Sequence, residues 1–178
     1  TIVIIPEYKI ASEQVLEQGI RLGTVSVRRG TVDTQDPRLN TLSKLNCIAA
    51  CIEADHLGYD EGLMLDENGN VSTCNSTNFF IARDNEVWTS QGEYCLPGVT
   101  RGNIIRLCKE NDIPVFQKDF LVEEVHSADE AFVTGTFAGV IPVTEVDGHE
   151  LSGGKRGDMT ERLQQLYIEL IKRECNSD

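Results

Sequence analysis

The sequence predicts a mixed α/β domain, a sheet built partly from hairpins and flanked by helices. Three observations lead there. Apolar residues recur at helical spacing in three separate stretches. Asn-Gly and Asp-Asn turn signals stand between short apolar runs, as in antiparallel hairpins. Strand-like and helix-like segments are mixed along the chain without repeats, so the sheet is not purely parallel.

The elements follow in order. Residues 1–5, Thr-Ile-Val-Ile-Ile, read as a buried strand. Residues 21–29 are strand-like, with Leu22, Val25 and Val27 among small and basic residues, and 30–38 form a polar loop. Leu42, Leu45, Ile48, Ala49 and Ile52 fall at helical spacing. They predict an amphipathic helix over 43–56, closed by Gly58. Leu63-Met64-Leu65 and a return from Val71 make one hairpin around Glu67-Asn68-Gly69-Asn70. Residues 79–82 and 87–89 make a second around Asp84-Asn85. Thr100, a good N-cap, opens a helix over 100–111 whose apolar face is Ile104, Ile105 and Leu107. Strands are expected near Val115, at 131–134 and at 141–146, with a turn at Asp147-Gly148. A last helix over 158–174 opens with an Asp-x-x-Glu capping box, Asp158 to Glu161. Its buried stripe is Met159, Leu163, Leu166, Tyr167, Leu170 and Ile171.

Composition bounds the function classes. At 178 residues, 40% hydrophobic and 25% charged, the chain has room for one domain, or one domain plus a fragment of another. No stretch is apolar enough to cross a bilayer, and the first residues carry no basic leader. A net charge of −13 argues against nucleic acid as the main partner, because counterion release needs a basic surface. The six cysteines are irregularly spaced with no Cys-x-x-Cys, which argues against a disulfide framework and against zinc. They read as buried free thiols in a reducing, cytoplasmic setting, with Cys47 and Cys51 in the core beside Ile48 and Ile52.

Three turns carry the chemistry. They are Cys74-Asn75-Ser76-Thr77-Asn78, Leu96-Pro97-Gly98-Val99-Thr100-Arg101 and Thr134-Gly135-Thr136-Phe137-Ala138-Gly139. Each offers backbone N–H groups and hydroxyls, which suit an anion such as a phosphate. His56, His126 and His149 are scattered, and no nucleophile elbow is present.

In order, these segments resemble the branched-chain and D-amino acid aminotransferase family, the fold type IV enzymes that use pyridoxal phosphate. The matching text is residues 58–66 (Gly-Tyr-Asp-Glu-Gly-Leu-Met-Leu-Asp) with Gly69, then Ser76-Thr77-Asn78-Phe79-Phe80. It continues through Leu96-Pro97-Gly98-Val99-Thr100-Arg101, Phe132-Val133-Thr134-Gly135-Thr136, Ile141-Pro142-Val143 and Asp147-Gly148. The resemblance covers that family's large domain. It implies residues 1–14 as the end of a small domain plus linker, and 15–178 as the cofactor-binding domain. It implies a homodimer acting on an amino acid and a 2-keto acid, and it implies pyridoxal 5′-phosphate as cofactor. The phosphate is expected at Val99, Thr100, Gly135 and Thr136, with an arginine supplied by the small domain.

Two positions depart from the family. Asn40 stands where the family carries the lysine that joins the cofactor, and an amide cannot do that chemistry. Lys44, in Ser43-Lys44-Leu45-Asn46, looks like a slipped copy of the family's Lys-x-x-Asn and is the candidate catalytic residue. On a continuous helix Asn40 and Lys44 would share a face. Thr73 stands where transaminases of the family put a glutamate against the pyridine nitrogen. The same resemblance leaves room for a lyase like aminodeoxychorismate lyase, or for a non-catalytic scaffold.

Overall fold

The computed structural model describes residues 2–6 and 12–175, arranged around a nine-stranded mixed sheet. The elements are α1 (Glu13–Gln18), β1 (Ile20–Thr24), α2 (Leu45–Leu57), β2 (Glu61–Leu65), β3 (Val71–Cys74), β4 (Asn78–Arg83) and β5 (Glu86–Thr89). They continue with α3 (Val99–Glu110), β6 (Val115–Gln117), α4 (Val122–His126), β7 (Glu130–Gly135), β8 (Gly139–Val146), β9 (His149–Glu150) and α5 (Asp158–Cys175). The sheet runs β3-β2-β1-β8-β7-β4-β5-β6, with β9 hairpinned onto β8. β1 pairs in parallel with both β2 and β8, and β6 with β5, while the remaining pairings are antiparallel.

The sheet curls, and the chain shows how. β3 and β4 are successive strands, yet they lie five places apart in the sheet. The turn between them is tied by Cys74 N–H donating to the Thr77 carbonyl at 3.0 Å. Ser90 Oγ, just past β5, donates to the Ser72 carbonyl at 2.7 Å. Alternation along β4 then feeds two cores. Phe79 and Ile81 enter a cluster with Leu22, Leu63, Val133 and Val146. Phe80 points the other way, stacks on cross-strand Phe132 at 4.9 Å, and joins Ile104, Cys108 and Leu163 under α3 and α5.

Several elements depart from the sequence reading. Residues 2–5 are exposed and form no strand, while Thr1 lies outside the described residues. α2 begins at Leu45 and presents the opposite face to the one expected. Ala50 and Ala54 pack on Val25 and Met64, whereas Leu45, Ile48 and Ile52 are 78, 56 and 52% exposed. Small residues let the helix lie close to β1 and β2, and that approach fixes the face. Cys47 is accordingly half-buried and Cys51 exposed; Cys74, Cys95 and Cys108 are buried, and all six thiols are free. Asp158 is the first residue of α5 and forms no capping box with Glu161. Glu130 accepts from Met159 N, Thr160 N and Thr160 Oγ1 at 2.7–2.8 Å instead, and Glu161 pairs with Arg156. Within α5, Leu163 and Leu170 are buried, but Ile171 is 44% exposed. The two tight turns formed as read: Asp84-Asn85 have φ of 51 and 63°, and Asp147-Gly148 of 53 and 80°.

Candidate functional site

A cavity of about 300 Å³ opens between the loop that precedes α2 and the turn that joins β3 to β4. Arg29 builds one wall. Its N–H donates to the Leu65 carbonyl. Its guanidinium donates to the carbonyls of Tyr94 (3.0 Å) and Pro37 (3.4 Å) and to Cys47 Sγ (2.9 Å). Those bonds fold residues 30–44 back over the sheet end. Gln35 Nε2 then pins the loop through Thr41 Oγ1 at 2.9 Å and the Ser43 carbonyl at 2.7 Å. Residues 41–43 are thereby held outside a helix. Asn40 therefore lies in the loop and Lys44 at the N-cap of α2, with φ −113° and ψ 31°, so the two do not share a helix face. Both nevertheless line the cavity, as does Thr73.

The opposite wall rests on a buried carboxylate that the sequence reading passed over. Glu61 accepts from Ser76 N (2.7 Å), Ser76 Oγ (2.8 Å), Thr77 N (3.0 Å) and Thr77 Oγ1 (3.0 Å). Burial nonetheless raises its pKa above the ordinary carboxylate value, despite the four donors. Asn75 Oδ1 accepts from Gly62 N at 2.7 Å, which fastens the same turn to β2. The only local signal was Glu61 inside the Asp-Glu-Gly string; its partners lie 15 and 16 residues further on.

Thr73 is 4% exposed, and its hydroxyl donates to the Thr77 carbonyl at 2.7 Å. Its oxygen is left as an acceptor, so a group against it must bring a proton. Cys74 is inert: burial, then the Glu61 charge, push its thiol well above the usual range.

The donor residues of the two turns lie behind the cavity rather than in its lining: Val99, Thr100, Gly135 and Thr136 do not line it, and Thr136 lines a second cavity against α5. Gly98, not Thr100, is the N-cap of α3, with φ −60° and ψ 139° and no side-chain cap. A Cβ there would overlap Asn78 Oδ1, and Asn78 Nδ2 donates to the Leu96 carbonyl at 3.0 Å, so the Asn78 side chain occupies that space and sets the helix start. The N–H groups of Val99 and Thr100 are then first-turn groups without an intrahelical acceptor. A Cβ on Gly135 would lie 3.5 Å from Thr77 Cγ2, and Thr134 pairs with Asn78 across the sheet. The α3 start thus abuts Asn78 and the Gly135 turn abuts Thr77, and both of these residues line the cavity.

Tyr167, read from sequence only as core, connects the two turns. Its hydroxyl lies 3.5 Å from Thr100 Oγ1, and its ring packs where Gly139 lacks a Cβ. Val99 and Thr136 are exposed, Thr100 is buried, and Thr134 Oγ1 is buried with no partner. Among the described residues no group of three or more metal-ligating side chains occurs, and no helix is long and apolar enough to cross a membrane.

Comparison with known proteins adds to this geometry. The family described as amino-transferase class IV matches residues 1–146. The branched-chain-amino-acid aminotransferase of Pseudomonas aeruginosa is 39% identical over 160 residues, which is 89% of this chain and 52% of that protein. The branched-chain-amino-acid aminotransferase-like protein 2 of Arabidopsis thaliana is 36% identical over 152 residues, 85% of this chain and 27% of that one. The structure of the branched-chain aminotransferase of Thermoproteus uzoniensis with norvaline superposes with a TM-score of 0.84 at 33% identity, covering 94% of this chain and 55% of that one. An aminotransferase of Brucella abortus bound to the cofactor PLP gives a TM-score of 0.81 at 28% identity, covering 93% and 56%. The chain spans about half the length of the bacterial and archaeal relatives it matches.

Proposed function

The chain belongs to the class IV aminotransferase family, and from that premise we propose that it is the cofactor-binding part of a pyridoxal-phosphate-dependent aminotransferase acting on an amino acid and a 2-keto acid. Five curated relatives that match over 85% or more of this chain are named for branched-chain amino acids, which supports substrates of that class. The observation that carries the reading is that the α3 start abuts Asn78 and Gly135 abuts Thr77, two neighbours that line one cavity with Asn40, Lys44 and Thr73.

The residues present fit such a group at its phosphate end. The first-turn N–H groups of Val99 and Thr100 would hold a dianion, aided by the α3 dipole. Gly135 and the exposed Thr136 would close the opposite side of it. When bound, the cofactor supplies a carbonyl that condenses with amines and a ring that accepts electron density. Thr73 would accept a hydrogen bond from a protonated ring nitrogen. As a neutral oxygen it favours that proton less than a carboxylate does. Asn40 would hydrogen-bond, without proton transfer, to whatever meets it. This reading assigns residues 1–14 to the end of a small domain plus linker and 15–178 to the large domain, a boundary that falls within α1 (Glu13–Gln18).

The same reading includes a homodimer, supported by the exposed Leu45–Ile48–Ile52 face of α2. It includes a cytoplasmic setting too, supported by six free thiols. A second reading, a scaffold that holds the cofactor without turnover, rests on Asn40 and Thr73.

Titration with pyridoxal phosphate and with pyridoxal tests the binding. Tight binding of the phosphate ester and at least about tenfold weaker binding of pyridoxal are expected. Equal affinities would remove the phosphate cradle and the reading with it. Amino transfer from a branched-chain amino acid to a 2-keto acid separates the enzyme from the scaffold. Sedimentation as a monomer would end the dimer assignment.

A further inference from the structure

Resting on that reading, we infer that Lys44 has taken over the amine function that Asn40 cannot perform. Among the side chains that line the cavity, Lys44 carries the only primary amine. The other cation there, Arg29, is committed to two backbone carbonyls and to Cys47 Sγ. Lys44 makes no side-chain capping bond, and its ammonium has no hydrogen bond or ion pair among the described residues.

Its backbone, by contrast, is fixed. Lys44 N donates to the Leu42 carbonyl at 3.1 Å, and its own carbonyl accepts from Ile48 N at 3.0 Å. Gln35 holds Ser43 immediately before it. The side chain therefore leaves a rigid point on the cavity rim on a four-carbon stem that is free to turn inward. Asn40 borders the same cavity four residues earlier, so a lysine lost at 40 and one present at 44 serve one space.

The step is a condensation. The Lys44 ammonium gives one proton to water, and its nitrogen forms a bond to the cofactor's carbonyl carbon. The two protons that remain on nitrogen move to the former carbonyl oxygen, which leaves as water, so a C=N bond replaces C=O with no change of oxidation state. Borohydride then adds hydride to that carbon and leaves a stable secondary amine.

The experiment treats the chain with pyridoxal phosphate and borohydride and maps the fixed pyridoxyl group by peptide mass. Binding of pyridoxamine phosphate, which has no carbonyl, is measured in parallel. We expect fixation concentrated on the peptide containing Lys44 and suppressed by excess pyridoxamine phosphate. In Lys44→Arg fixation should fall about tenfold or more while pyridoxamine phosphate affinity stays within about twofold. In the Asn40→Lys, Lys44→Arg pair fixation should move to residue 40. Fixation spread over Lys109, Lys118, Lys155 and Lys172, or unchanged in Lys44→Arg, would overturn the assignment. If pyridoxamine phosphate binds and no residue is fixed, Lys44 falls and the cofactor reading stands. If pyridoxamine phosphate does not bind, both fall.

Discussion

The two ends of the candidate site were built under different constraints. At the phosphate end, Gly98, Asn78, Thr100 and Tyr167 interlock: one side chain fills the space a Cβ would need, and two hydroxyls face each other at 3.5 Å. At the reacting end, Asn40 and Lys44 are exposed residues of a loop held by Arg29 and Gln35. The packed end carries the motifs on which the resemblance rests, while the proposed reading puts Asn40 at the open end in place of a lysine. Thr73, buried on the wall of the same cavity, is tied by its hydroxyl to the Thr77 carbonyl. The first end is held by packing that the fold needs in any case, whereas the exposed side chains of the second are free to change at little cost to the fold.

The largest effect expected is at Glu61. Glu61→Ala strands four donors that now meet one carboxylate and should cost about 3 kcal/mol, with the Cys74–Asn78 turn and cofactor binding lost together. Urea denaturation measures it; a cost under about 0.5 kcal/mol would mean that the turn holds itself.

Gly98→Ala comes next. The new Cβ overlaps Asn78 Oδ1, whose amide is anchored on the Leu96 carbonyl, and should cost about 2 kcal/mol and loosen the cradle. Pyridoxamine phosphate affinity should fall in parallel, and an unchanged affinity would separate Gly98 from the site.

The comparison is sharpened by a paired change at the open end and the cavity wall. Asn40→Lys with Thr73→Glu should raise amino transfer by about tenfold beyond the product of the single changes, because the two act on one bound group. Strict additivity would say that they do not.

Two carboxylates should respond to acid with opposite sign. Ser26 N and Oγ hold the carboxyl of Glu53 below its ordinary value, so its contribution is present at neutral pH and lost as the pH falls through that lowered value. Burial raises Glu61, so its contribution is full below the ordinary value near 4.5 and declines as the pH rises through the raised one. The cost of Glu53→Gln should therefore shrink from pH 7 to pH 4, and that of Glu61→Ala should grow, as denaturation at the two pH values would show. The smallest effect belongs to Ile52→Ser on the exposed face of α2, within about 0.5 kcal/mol for the monomer.

What the sequence disclosed follows the reach of each interaction. The turns at Asp84-Asn85 and Asp147-Gly148 were legible because two adjacent residues determine them. α1 and α4, of six and five residues, were missed because so short a helix carries no periodicity to count. α2 was found but turned, since spacing identifies an apolar stripe and not what covers it; Ala50 and Ala54 won through close approach to Met64 and Val25. The start of α3 was read two residues late because Asn78, twenty residues earlier in the chain, sets it. Val99, Thr100, Gly135 and Thr136 were named from motifs alone. Glu61, Arg29 and Tyr167, which hold their surroundings through long-range bonds, carry no local mark of that role.

A crystal structure of the chain with pyridoxamine 5′-phosphate would decide whether the two ends serve one bound group. The phosphate should lie against Val99 N, Thr100 N and the Gly135-Thr136 turn, with the ring nitrogen at Thr73 Oγ1 and the aminomethyl group facing Asn40 and Lys44. A phosphate bound elsewhere, or a ring turned so that Thr73 and Lys44 lie on the same side of it, would refute that arrangement.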